Sequence, residues 1–386
     1  MTEKFQTYFI ASSADWWAKF REWEQLCCPR TATVRIVLLF LFFLLLELIV
    51  FVITLIYIPS RIETGSFLLD NGVPSILIIA SIGSIVMLAH MLSRRKCIGV
   101  VATTLQRFDQ TLQRLDFRLR CEEVIYWTVG WIITFVVTTI LFSISIQVFG
   151  SMVFGSNMNV AALVVFINVA NVPYTICSIW AMIFALCVWY RLKLLNTLTD
   201  NSMRALATTG RKERTKRSHT VAGLTDLQSE LATVVEHINA VFGLQMTLSL
   251  SAFTMLLIFC IFSYYRAAVV MGDTERYFAW LIICWSLYNC CTQLPKVLFG
   301  SWIGIAAKRQ TRLVYHYLRQ SDDILSILSQ QLEHLPLTIR SWFSTINWPV
   351  YATIIGYIST YVVILIQFDS KAMDVSKANL PNVQQE

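Results

Sequence analysis

Seven stretches of this chain are long and apolar enough to cross a lipid bilayer: 34–58, 73–92, 124–149, 160–190, 245–268, 277–300 and 349–369. A hydrocarbon core about 30 Å thick needs roughly 20 apolar residues at helical rise. Backbone groups in that medium must be satisfied within the segment, so runs of this kind are helices. The composition agrees. Of the 386 residues, 56% are hydrophobic and 14% charged, against about 25% charged in ordinary soluble domains. The charges also cluster between the apolar runs, which excludes a soluble enzyme or a nucleic-acid binder. Only Glu47 puts a formal charge near the middle of a span. Arg35, Arg266 and Lys296 lie near span ends, where long side chains are expected to snorkel to the interface.

Orientation follows from the loops. Twenty-four Lys and Arg fall before span one and between spans two and three, four and five, and six and seven; four fall on the other side. Basic loops stay cytoplasmic, so the N-terminus is expected inside and the C-terminus outside. Residues 1–33 then form a cytoplasmic N-terminal segment, and 34–300 hold helices one to six with their inner loops, including a long basic loop at 191–244. Residues 301–348 form a cytoplasmic helical segment, 349–369 the seventh span and 370–386 an extracellular tail. An inside N-terminus argues against a G-protein-coupled receptor. So does Asn347-Trp-Pro349-Val-Tyr351, which displaces its proline by one from the Asn-Pro-x-x-Tyr pattern.

The ten cysteines all fall in spans or on the basic side, so structural disulfides are not expected. Cys27-Cys28 beside a basic stretch suits palmitoylation. Trp16, Trp17, Phe20 and Trp23 suggest a short interfacial helix. Leu224, Leu227, Leu231, Val234, Ile238 and Val241 recur at alternating spacings of 3 and 4, the pattern of a coiled-coil seam. Leu318, Leu325, Leu328, Leu332 and Leu335 continue a second seam, ended by Pro336. Two seams on one side argue for a cytoplasmic bundle able to hold subunits together. The basic run from Arg211 to Arg217 lacks interleaved aromatics, so it faces anionic lipid headgroups rather than nucleic acid.

The last span ends Thr360-Tyr361-Val-Val-Ile-Leu-Ile-Gln367-Phe368. A Thr-Tyr pair, five hydrophobic residues and Gln-Phe at the end of the final helix resemble the signature of insect gustatory receptors. Length, span count, orientation and the short outer tail resemble that family over essentially the whole chain. The resemblance implies a taste receptor acting as a ligand-gated, non-selective cation channel that needs no G protein. Four identical or related subunits would surround one pore lined by helix seven, with a cytoplasmic anchor of helix extensions. Each would bind a small tastant in the outer half of its bundle, in the plasma membrane of sensory neurons.

The residues of span seven suit that role. Thr360, Ile364, Gln367 and Lys371 fall at i, i+4, i+7 and i+11, one face of a helix. Four copies would place an apolar ring at Ile364 and an amide ring at Gln367, with Phe368 bracing the gate. The alternative is that Thr360 and Gln367 hydrogen-bond neighbouring helices. Lys371 would put positive charge at the mouth, which Asp369 could offset. Polar and aromatic residues in outer half-spans are the pocket candidates: Asn168 and Asn171 beside Pro173, Gln147, Tyr264, Trp280 and Trp285. Glu47 is expected to bond Ser81, Ser84 or Asn289, or to face a wet cavity; His90 is expected at the interface. The sequence carries no phosphate loop, zinc spacing or catalytic triad, so neither enzyme chemistry nor a metal or cofactor is expected. A secondary transporter is the competing class, but seven spans do not divide into inverted repeats. A light- or heat-sensing member of the same superfamily is a further alternative, because no residue pattern names the stimulus.

Overall fold

The computed structural model describes residues 38, 41–49, 51–52, 67–115, 122–154, 158–208, 214–270, 273–318, 328–330, 332–333 and 337–378. They form seven long helices: α1 (Phe67–Ser93), α2 (Arg95–Arg114), α3 (Glu122–Phe154), α4 (Met158–Thr208), α5 (Arg214–Val270), α6 (Asp273–Leu318) and α7 (Trp348–Ala378). Residues 41–49 and 51–52, within the first apolar run, are helical too. Spans two to seven each lie inside one helix. Four helices are long and apolar enough to cross a membrane, through Tyr126–Phe149, Tyr174–Arg204, Ala222–Val269 and Trp348–Lys371. The pair α1–α2, bent by 57° at Arg94, makes a fifth when taken as one span. Helix α6 falls outside that set because Asn289, Thr292, Gln293 and Lys296 interrupt its apolar run, and all four are buried.

At one end the turns are short: α3 leads into α4 and α5 into α6 within a few residues. At the other, α4, α5 and α6 overrun the apolar segments and pack with α2 into a second layer. This is the end that carries the basic residues. Its core is the α5 seam: Leu224, Leu227, Leu231, Val234, Ile238 and Val241 are all at most 1% exposed, packed with Leu105, Phe108 and Leu112 of α2 and Leu192 and Leu195 of α4. The seam is therefore consumed within one subunit. Contrary to the expectation from spacing, those side chains have no surface left for a neighbour. Leu328 and Leu332 of the second seam join the same core; Leu325 and Leu335 lie outside the described residues. Arg191 of α4 donates through Nε and Nη2 to the Asp109 carboxylate of α2, at 2.9 and 2.7 Å, and both residues are buried.

A tight hairpin, Leu337–Asn347, enters α7. It closes through Ile346 N–H to Ile339 O at 3.0 Å and Ser341 N–H to Ser344 O at 2.8 Å. Asn239 of α5 pins it from both sides of its amide, donating to Thr338 O at 2.9 Å and accepting from Arg340 N–H at 2.8 Å. Two glycines let it approach. A Cβ at Gly300 would come within 2.5 Å of Ile346 O, and one at Gly243 within 3.2 Å of the Trp342 ring. His90 belongs to this joint rather than to the interface alone: its Nε2 lies 3.0 Å from Ala240 O, and its ring meets Trp342 edge-on. Seven cysteines, from Cys97 to Cys291, are free; Cys27, Cys28, Cys121 and the aromatic run 16–23 lie outside the described residues.

Candidate functional site

Helix α7 packs along one side only. Ile358 and Val362 are buried against Ile258 of α5, with Leu257, Ile354, Leu365 and Ile366 beside them. Within Trp348–Lys371 only Ile358, Val362 and Asp369 are buried among the described residues. Thr360, Ile364, Gln367 and Lys371 lie on the face turned away from that stripe, and all four are exposed. Phe368 is 65% exposed and Ile364 39%. The Thr360 hydroxyl donates to Gly356 O at 3.1 Å, within its own helix, so it does not tie α7 to a neighbour.

The C-terminal part of α7 is fixed to α5 by polar contacts next to the motif. Arg266 Nη1 donates to Asp369 Oδ2 at 3.1 Å, with side chains 6% and 7% exposed. Tyr265 and Ser370 hydroxyls lie 3.3 Å apart. Arg266 therefore does not snorkel, as its place near a span end suggested. Its charge is held in the protein by a carboxylate, which is how a buried cation is tolerated. Asp369 is correspondingly turned away from Lys371, and its charge is spent on Arg266.

Inside the bundle, α6 presents polar groups to α4 and α5. Gln293 Nε2 donates to the Tyr174 hydroxyl at 2.5 Å, and Ser249 Oγ donates to Gln293 Oε1 at 3.2 Å. Lys296 Nζ lies 3.4 Å from both Ser249 Oγ and Gln293 Oε1, and 5.0 Å from the centre of the Tyr174 ring. Lys296 is 4% exposed, and among the described residues no carboxylate pairs with it. It too was expected to snorkel. Neutral oxygens and an aromatic face solvate it instead. Nearer the short-loop end, Tyr288 stacks on Phe142 at 4.5 Å, and its hydroxyl meets Thr175 Oγ1 at 2.5 Å.

The structure divides the pocket candidates. Trp285 is buried beside Phe142, Ile146, Phe262, Ile282 and Tyr288, where α3, α5 and α6 meet. Trp280 is exposed and stacks on Phe149 of α3 at 6.4 Å, two residues beyond Gln147, which is exposed as well. Tyr264 is 65% exposed on α5, away from that aromatic group. Asn168 and Asn171 fall in α4, with side chains outside the described set. Glu47 is buried, and among the described residues both carboxylate oxygens lack a hydrogen-bond partner; Asn289 donates instead to Trp285 O at 3.0 Å. Sequence reasoning passed over Tyr174, Ser249 and Gln293 and assigned Lys296 to the interface. The usable signal was the spacing of Asn289, Gln293 and Lys296, which puts three polar residues on one face of an otherwise apolar helix. Among the described residues no group of His, Cys, Asp and Glu is placed to hold a metal ion.

These helices form a polytopic, membrane-type bundle with a polar heart and a last helix left open on one side. Residues 19–372 match the model of the 7tm chemosensory receptor family, and the chain belongs to that family, the insect chemoreceptor superfamily to which Thr360–Phe368 pointed. It is a family of receptors, not of enzymes. Two solved structures share the fold. The insect olfactory receptor OR5 from Machilis hrabei superposes with a TM-score of 0.64 at 11% identity, over 89% of this chain and 91% of that one. The same receptor in complex with eugenol gives 0.63 at 12% identity, over 85% and 88%. No curated protein matches the sequence.

Proposed function

We propose that this chain is a gustatory receptor of the plasma membrane that works as a ligand-gated, non-selective cation channel. The chain crosses the membrane seven times, with the N-terminus in the cytoplasm, on the side of the basic loops, and the C-terminus outside. Four identical or related subunits surround a pore lined by α7, with Ile364 as an apolar constriction, Gln367 as an amide ring and Phe368 bracing the gate. A small tastant binds in the outer half of each bundle, toward Trp285 and Trp280, with Asn168, Asn171, Gln147 and Tyr264 as further contacts. The observation that carries this is the placement of Thr360, Ile364, Gln367 and Lys371 opposite the packed stripe of α7. A helix that leaves a face with a Thr and a Gln uncovered needs either lipid or other subunits there. Lipid is the poorer environment for a carboxamide.

The test is whole-cell current from cells expressing this chain alone, and with related subunits, screened across sugars, bitter compounds and volatiles. A cation current evoked by a sugar or bitter compound is expected. A response confined to volatiles contradicts the gustatory assignment, and no current from a surface-expressed chain in any combination contradicts the channel.

A further inference from the structure

At the basic end, a cavity of about 380 Å³ lies between the extension of α6, Gln228 of α5, Leu332 and the hairpin that enters α7. Its volume is within the range of small-molecule sites, roughly 300–1,000 Å³. Most of the wall is apolar, including Leu332, Leu337, Ile339 and Ile346. Two polar side chains interrupt it. Gln228 is fully buried, yet among the described residues neither its amide nitrogen nor its oxygen has a hydrogen-bond partner; Ser301 is 7% exposed, and its hydroxyl has none among them either. Burying an amide without partners is unfavourable, because it gives up its bonds to water and gains none in return. Gly304 stands on the same wall with nothing within 4 Å of where its Cβ would be. Gly300, one turn earlier, is required by the Ile346 carbonyl; none of the described residues requires Gly304. Exposed Lys308 and Trp348 stand at the edge.

From these features we infer that the cavity is a binding site, distinct from any pocket in the outer half of the bundle, for a neutral amphiphile. Its hydroxyl or amide head bonds Gln228 and Ser301, and a short apolar body fills the space left by Gly304. Gln228 offers both a donor and an acceptor, which a hydroxyl or a primary amide satisfies together. A carboxylate would leave the Gln228 oxygen unpaired. The first turn of α7 forms part of the wall through Asn347, Trp348 and Pro349. Asn347 is its cap, accepting from Val350 N–H at 3.1 Å and donating to Thr345 Oγ1 at 2.9 Å. An occupant therefore touches the base of α7 from the basic end, a position suited to modulating it.

The full chain, purified and placed in phosphatidylcholine nanodiscs, tests this by photolabelling, without any need for current. One arm uses a diazirine-bearing monoacylglycerol carried in the bilayer; the other uses a diazirine-bearing octanol added in water. Labelling mapped to 301–305 or 345–349 by at least one probe is expected, and the arm that labels identifies a lipid or an aqueous source. Gly304→Leu should cut that labelling roughly tenfold, equivalent to about 1.4 kcal/mol of binding. Gln228→Leu should weaken it while leaving thermal stability equal to or above that of the parent chain. Labelling unchanged in either variant overturns the site. So does an unlabelled parent chain, including the case in which Gly304→Leu disperses the assembly and so shows the space to be filled by a neighbouring subunit.

Discussion

Gln367 and Val362 differ by five positions and by everything about their surroundings. Val362 is buried against α5, while Gln367 stands exposed on the far face with Ile364 one turn away. Replacing Gln367 with Ala or Glu is expected to change relative ion permeabilities at normal surface levels. Ile364→Ser should wet the constriction and raise current without ligand. If Gln367 only bonded a neighbouring helix, Gln367→Ala would lose about 0.6 kcal/mol and leave permeability alone. Asp369 gives a second residue-scale expectation. Asp369→Asn strands the buried Arg266 charge, and removal of one partner of such a pair typically costs about 3–5 kcal/mol. The melting temperature of purified protein should fall, and Arg266→Met in the same chain should restore much of it. An unchanged melting temperature in Asp369→Asn would mean that the pair contributes nothing.

Among the elements, the N-terminal half of α5 was the most legible. Its 3–4 spacing is a direct image of burial, since six apolar residues at that period can share only one face. What periodicity does not carry is the identity of the partner. Packing against α2 and α4 of the same subunit satisfies the seam as fully as another chain would, and only the fold distinguishes them. Leu231→Ala, at 0% exposure, should therefore cost about 2–5 kcal/mol of subunit stability. It should lower the melting temperature without first dissociating the assembly; dissociation into folded subunits would contradict the intramolecular seam. Aspartates at Leu328 and Leu332 would likewise damage the subunit itself. Arg266 and Lys296 were misjudged for a related reason. Distance from a span end says that a long side chain can reach water, whereas Asp369, Ser249 and Tyr174, brought from other helices, and Gln293 of the same helix as Lys296 keep both cations inside. The hairpin 337–347 had no sequence signal beyond Pro336 and the two distant glycines that admit it.

At the scale of the whole molecule, helices that overrun the membrane at one end only, and short turns at the other, match the uneven distribution of basic residues along the chain. That match supports a cytoplasmic basic layer. An epitope tag after Glu386 should accordingly be stained on intact cells, and staining only after permeabilisation would reverse the topology. The basic layer holds the hairpin, and the hairpin holds the first turn of α7, while Arg266 and Asp369 hold its other end. A last helix fixed at both ends and uncovered between them suits a gate. Cysteine accessibility along α7 measures this most directly. With cysteine at Gln367, Ile364 or Val362, a charged thiol reagent applied to the current should block or alter it at 367 and 364 and leave 362 untouched. Modification of Val362→Cys with silence at Gln367→Cys would contradict a pore lined by this face.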